Sequence, residues 1–392
     1  MNKNGFHIHR GTNISHLFVD EHLPRGDRRA YFNERDISQI ARFGFDHIRI
    51  PIIEKRLWDE TGNPHTDAFS YLNHIISVSI HAGLRVILCF HELRSHEFST
   101  MGVITPKLFI DPNEIEIFCE KWSELSDRFV DYPTNSLAYE LLNEPLAPAD
   151  EDWNKVLKRV YAKIRTREAE RTLIIGSNFF QRPEKIKRLW LPANDPNIIK
   201  SFHFYYPELF THYKTTWSSM GKYDGPISYP GRPVPKEFEH KLETLGLHPK
   251  ITNQPITRLL IKKLLRDAIG NAQQSIHPVH CGEFGCSKEI PKNLLELWYR
   301  DIVECMEEEG IAWTQWDWKG NFGLLDKDTW LPSGIHSAMG LKSPKRGFPK
   351  IPGSTLKEKL RYRVSRASAK YPPMQSLFRS IKRIIRNDSS KK

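Results

Sequence analysis

The sequence predicts an α/β chain folded as a (β/α)8 TIM barrel. Three observations carry that prediction. Eight short β-branched or apolar runs recur along the first 340 residues, stretches with helical periodicity separate most of them, and the ends of the runs carry polar side chains. An open doubly wound sheet is the alternative, but no glycine-rich phosphate fingerprint follows the first strand.

The strands are expected at residues 6–11 (FHIHRG), 46–52, 84–90, 136–142, 172–176, 199–205, 277–282 and 311–316. Between them NERDISQIARFGF, AFSYLNHIISVSIHAG, PNEIEIFCEKWSELSDRFVD and PITRLLIKKLLRDAIGNA place apolar residues at helical spacing. Residues 206–250, rich in Tyr, Pro and Gly, read as a long loop insertion after the sixth strand and not as a helix. The barrel is expected over residues 1–340, followed by a basic, partly amphipathic extension over 341–392.

The net charge of +11 suggests a nucleic-acid partner until its distribution is read. From Leu341 onward sixteen Lys and Arg face only Glu358 and Asp388, so the tail carries +14, while residues 1–340 hold 42 basic against 45 acidic groups, a charge of −3. No nucleic-acid partner is expected of such a body. In the tail, Leu377, Phe378, Ile381, Ile384 and Ile385 fall at helical spacing beside basic residues, as in a helix that binds an anionic membrane surface or one that packs on the barrel. No run reaches the ~18 to 20 apolar residues of a membrane span. The start MNKNGFHIHRG lacks the apolar core of a secretory signal, and the five cysteines are odd in number and unevenly spaced. Together these point to a cytoplasmic chain with reduced thiols.

In a barrel of this type, reactive groups sit at the C-terminal strand ends. Reading off those ends gives Asn13, Arg49 with Pro51, His91, Asn143 with Glu144, Asn178, His203 with Tyr205, Glu283 and Trp316. Pro145 has no backbone donor and is expected to stop the fourth strand where Glu144 meets the mouth. A lone glutamate there is by default an exposed or capping charge. Glu144 and Glu283 projecting into one cavity suggest glycosidic bond cleavage, with one carboxyl as acid and the other as nucleophile or base. Arg49 is placed to hold Glu283 ionised with its pKa kept low, and burial beside another carboxylate would raise Glu144. Asn143 suits a sugar hydroxyl, Tyr205 suits the nucleophile, and His91 and His203 are neutral donors. The strand register does not decide whether Trp316 faces the cavity or packs. Tyr206, Trp217, Tyr223 and Tyr229 in the insertion suit a packing cluster and sugar platforms equally.

HIRIPI, LLNEP, HFYY, GEFG and WTQWDWKGNFGLLD, in that order over about residues 5–326, resemble the retaining (β/α)8 glycosidases, and specifically glycoside hydrolase family 5, the cellulase family. The resemblance implies that Glu144 is the acid/base and Glu283 the nucleophile, with Arg49, His91, Asn143, His203, Tyr205 and Trp316 around the substrate. It further implies a β-linked glucan-type carbohydrate as substrate, and neither cofactor nor metal. His16, in GTNISH, departs from many relatives and bears on sugar-subsite detail.

Two other classes share features with this sequence. A metal-dependent amidohydrolase uses the same barrel, and His7, His9, His203, His280 and Asp317 superficially match its ligands, but His7 and His9 precede the end of the first strand and would sit low in the barrel. A non-catalytic carbohydrate-binding relative would be expected to have lost a glutamate, and both are present.

Overall fold

The computed structural model describes residues 5–19, 28–98, 104–269, 276–325 and 333–342. The expected C-terminal extension lies outside them except for Leu341 and Lys342. Eight parallel strands close in chain order: β1 Arg10–Asn13, β2 His47–Ile53, β3 Arg85–Glu92, β4 Leu137–Glu140, β5 Thr172–Gly176, β6 Ile198–Phe204, β7 Val279–Phe284 and β8 Ala312–Gln315, with β8 paired to β1. Helices Glu34–Phe43, Thr66–His81, Pro112–Phe129, Asp150–Arg165, Arg258–Ile269 and Lys292–Glu308 return the chain between strands, whereas the crossover after β5 is a 3-10 stretch, Pro183–Arg188. Among the described residues no helix is long and apolar enough to cross a membrane, and all five cysteines are buried free thiols.

Helix ends follow from local sequence. Asn33 caps Glu34–Phe43 in a reciprocal capping box with Asp36, and Gly44 ends that helix at φ 90°. Asp111 caps Pro112–Phe129, whose first residue has no amide donor to satisfy. The insertion corrects the expectation of a helix-free loop. It holds short helices Glu208–Thr211, Glu239–Thr244 and Pro249–Thr252. Prolines at 207, 235 and 249 preset φ at or just before such turns, a signal that helical periodicity over a long window misses.

Alternation along the strands sorts two apolar regions. Ile48, Ile50, Val86, Leu88, Phe90, Trp122, Trp153, Trp298 and Trp313 belong to the large core between barrel and helices. Inside, Phe6 joins Ile87, Ala138, Ile174 and Ile199 in a separate cluster that closes the floor. This explains why β1 begins at Arg10 and not at Phe6: Phe6, with Ile8 packed against its cluster, fills the barrel end instead of extending the strand. Above the floor comes a polar layer, where the Thr314 hydroxyl lies 2.7 Å from a ring nitrogen of both His47 and His280, and Asp46 Oδ1 lies 2.6 Å from His47 Nδ1. Gly11 makes room for it. A Cβ at that position would lie 2.2 Å from His47 Nε2, and the ring is pinned from both sides. Gly11→Ala is therefore expected to destabilise the fold by about 1 to 3 kcal/mol through overpacking, read by denaturant unfolding. Wild-type stability would show that the layer can shift.

Candidate active site

Arg49 sits deeper than expected, because β2 runs on to Ile53. Its wholly buried guanidinium donates from Nε to Glu140 Oε2 (2.5 Å), from Nη1 to Glu283 Oε1 (2.7 Å) and Asn13 Oδ1 (2.9 Å), and from Nη2 to Asn143 Oδ1 (2.8 Å) and Cys89 Sγ (3.1 Å). Every donor direction of the fork is used. The Asn143 amide is thereby oriented with its oxygen toward the cation, which leaves Nδ2 buried and unpaired.

Glu283 reaches the cavity by a device the sequence hides. Simple alternation from the inward His280 would turn residue 283 outward. In the β6–β7 ladder, however, Cys281 pairs with Phe202 and Glu283 with His203, so Gly282 is an extra residue in the strand. That bulge re-aims the carboxylate inward. It needs glycine, since a Cβ there would lie 2.8 Å from Ser201 Oγ and 3.2 Å from His203 Nε2. Tyr205 donates its hydroxyl to Glu283 Oε2 at 2.9 Å.

Glu144 arrives differently. The β4 ladder ends at Glu140, short of the expected residue 142, so Pro145 is not what stops it. The chain continues along the barrel wall, with Leu141 N–H bonded to Ile174 O on one side and Asn143 N–H to Phe90 O on the other. Glu144 then adopts φ 44°, a left-handed backbone rare for a residue with a side chain, which turns the chain out of the wall. Its carboxylate Oε1 lies 2.7 Å from His203 Nδ1. The same imidazole nitrogen is 3.7 Å from Glu283 Oε2. An oxygen of each glutamate and a ring nitrogen of His203 all lie within 4.8 Å of one another.

Burial governs the protonation of this group. It raises Glu144 to about 8, with Glu208 and Glu140 adding to it and Arg49 opposing. The side chain nevertheless keeps 16% exposure, so its proton can exchange with the mouth. Burial also raises Glu283, against the expectation that its pKa is kept low, while the nearby His203 and Arg49 charges and the Tyr205 hydroxyl pull it back. His203 is itself lowered to about 4 by burial and is neutral near pH 7. At that pH, Arg49 and Tyr205 are left to favour the Glu283 carboxylate, and Glu144 has no contact with a cation. Burial holds Tyr205 well above its usual value, so it remains a donor, and holds His91 well below, so it remains neutral.

The remaining expected residues divide clearly. His91 and Trp316 stack at 5.6 Å with their planes 9° apart, and His91 Nδ1 has no partner. Trp313 and Trp318 are buried packing residues. Asn178 does not face the pair but holds the loop beyond Glu144, accepting from Ala147 N–H at 2.9 Å. In the insertion, Tyr223 and Tyr229 are buried and Tyr206 packs on the core, whereas Trp217 is 57% exposed beside Phe322 (5.8 Å), which contacts Tyr205 (6.1 Å). The proposed amidohydrolase ligands are scattered: His7 and His9 are exposed before β1, His280 is bound in the lower polar layer, and Asp317 accepts from Ser15 and Gly320. Among the described residues, the groups spaced to hold a metal are Glu144, His203 and Glu283, but there Arg49 and Tyr205 already occupy an oxygen each of Glu283. Sequence reading missed Glu140 and Gln181. An acidic residue inside the apolar run SLAYELL was the available signal for Glu140.

A closed parallel barrel with two carboxyls converging at its C-terminal mouth defines a glycoside hydrolase. The model for Cellulase (glycosyl hydrolase family 5) matches residues 7–322, and the chain belongs to that family. It is similar to Endoglucanase C of Acetivibrio thermocellus, with 30% identity over 324 residues covering 80% of this chain and 90% of the relative. It is also similar to Cellodextrinase A of Ruminococcus flavefaciens, with 24% identity covering 72% and 77%. Among solved structures, a hyperthermophilic endo-β-1,4-glucanase in complex with substrate shares the fold at a TM-score of 0.67 and 24% identity, over 86% of this chain and 98% of that one.

The raised Glu144 carboxyl makes a stability prediction. Between the usual 4.5 and about 8 the folded chain holds a proton that the unfolded chain has released, so this group makes stability fall as pH rises through that window. Glu144→Gln removes the fall. Its melting temperature should gain on the wild type from pH 4.5 to about 8, and a pH-independent difference would contradict the raised pKa.

Proposed function

We propose that Glu283 is the nucleophile and Glu144 the acid/base of a retaining double displacement on internal bonds of a β-glucan. The observation that carries this reading is the approach of the two carboxylates, an oxygen of each lying within 4.8 Å. An approach that close supports the ~5 to 5.5 Å carboxyl spacing of retaining enzymes over the ~6.5 to 9.5 Å of inverting ones. In the first step a Glu283 oxygen attacks the anomeric carbon, the bond to the departing sugar breaks, and Glu144 gives its proton to the leaving oxygen. In the second, water gives a proton to Glu144 and its oxygen to the anomeric carbon, and the ester to Glu283 breaks. Two inversions return the original configuration.

Glucan as the sugar, and attack within the chain, rest on the similarity to Endoglucanase C. Arg49 and Tyr205 stabilise Glu283 as both attacking and leaving group, Trp316 with His91 forms the floor for a sugar ring, and the unpaired Asn143 Nδ2 and His91 Nδ1 suit hydroxyls.

Product analysis on mixed-linkage β-glucan by NMR should give β-configured reducing ends first, and an initial α-anomer would overturn the mechanism. Glu283→Gln should abolish turnover on every substrate. Glu144→Gln should lose far more activity on glucan than on an aryl cellobioside with a good leaving group, which hardly needs a proton, and equal losses would remove Glu144 from the acid role. The exposed Trp217 is a platform for sugars beyond the cleaved bond in this reading. Trp217→Ala should raise KM for long glucans roughly three- to tenfold and leave KM for a short aryl glycoside unchanged.

A further inference from the structure

Beyond β5, Phe179, Phe180 and Gln181 take φ values of 61°, 61° and 52° in succession. None is glycine or asparagine, and a run of three left-handed residues with side chains persists only where its surroundings over-determine it. What the turn achieves is visible at its end. It swings Gln181 into the barrel, fully buried, where the side-chain Oε1 accepts from the backbone N–H of Glu144 at 2.8 Å. From Nε2 the same carboxamide donates to Glu140 Oε1 (3.3 Å) and Ser201 Oγ (3.2 Å). Gly176 lies directly behind, and a Cβ on it would come within 2.4 Å of Gln181 Cδ. Phe180 N–H and the Asn178 side chain grip Pro145 O and Ala147 N–H, so one short turn holds residues 144, 145 and 147.

We propose that Gln181 is a positioning residue for the reaction: one carboxamide fixes the left-handed backbone of Glu144 and, through Glu140 and Arg49, ties it to Glu283. It does not act on the sugar. Glu144 lies beyond the end of the β4 ladder, so its main-chain donor would otherwise have no strand to bond, and a backbone turning out of the wall could rotate the carboxyl away from the leaving oxygen. The Glu140–Arg49–Glu283 links, at 2.5 and 2.7 Å, pass the same reference frame to the other carboxyl. The proposal rests on Glu144 being the acid.

The test is the substrate pattern of Gln181→Met, which keeps the volume and removes all three polar contacts. A misplaced acid should lower kcat on β-glucan about 100-fold, with KM within about twofold, and lower kcat on an aryl cellobioside with a good leaving group by less than about tenfold. Gly176→Ala, which crowds the carboxamide from behind without changing it, should reproduce the pattern and serves where Gln181→Met does not fold. Equal losses on the two substrates, or wild-type rates, in variants with a normal unfolding transition would overturn the proposal. Glu144→Gln measured alongside separates the two levels. If it shows the leaving-group dependence and the Gln181 and Gly176 variants do not, the positioning role fails alone. If it does not, the acid assignment fails and takes the proposal with it.

Discussion

The architecture of the mouth depends on one buried cation. Arg49 has no exposed surface, and its guanidinium is held by two carboxylates, two amide oxygens and a thiol. An ion pair so deep forfeits hydration that Coulomb attraction restores only when geometry is close and every donor is used. That requirement orders the neighbourhood. Asn13, Asn143 and Glu140 must present oxygens, and Glu283 must approach from β7, which the Gly282 bulge permits. Two carboxylates share one cation, so with both ionised the set carries a net negative charge. A sugar ring that gains positive charge as its glycosidic bond breaks would meet that charge already in place.

The two glutamates differ less in burial than in company. Both are raised by desolvation, yet Glu283 touches Arg49 and Tyr205 while Glu144 touches a histidine that is neutral near pH 7. His203 lies between them and leans to Glu144, at 2.7 Å against 3.7 Å. With Glu144 protonated, its hydroxyl donates to His203 Nδ1, and with Glu144 ionised the same ring nitrogen must donate instead. The ring therefore accommodates either state of Glu144 by a change of tautomer, without taking up charge.

Much of this was legible in the sequence because it is periodic. Inward positions two residues apart carry Arg49, His91, His203 and Trp316 to the mouth, and the helices declare themselves by spacing and caps. What was hidden is what breaks the period. The Gly282 bulge looks like any glycine in a strand, and the left-handed path through Glu144, Phe179, Phe180 and Gln181 is written in residues that ordinarily avoid it. Phe6 reads as strand because it is apolar, yet it closes the floor. Glu140 was passed over because a charge amid apolar residues is informative only once its partner, distant in sequence, is known.

The barrel interior changes character along its axis: apolar at the floor, hydrogen-bonded in the His47–Thr314–His280 layer, and charged at the level of Arg49, which meets the Glu283 carboxyl. The order follows from solvent. The Arg49 cation and its partners lie toward the mouth, where water and substrate enter, and the hydrogen-bonded layer separates them from a floor that could not satisfy them. Glycines mark each transition at which side chains crowd the axis, Gly11 against His47, Gly282 against Ser201 and His203, Gly176 against Gln181. At these places absence of a side chain is the structural requirement. The inward positions of β1, β5 and β7 thus leave space that side chains from neighbouring strands and the turn after β5 fill, and this allows long polar groups to cross the axis and meet at the two glutamates.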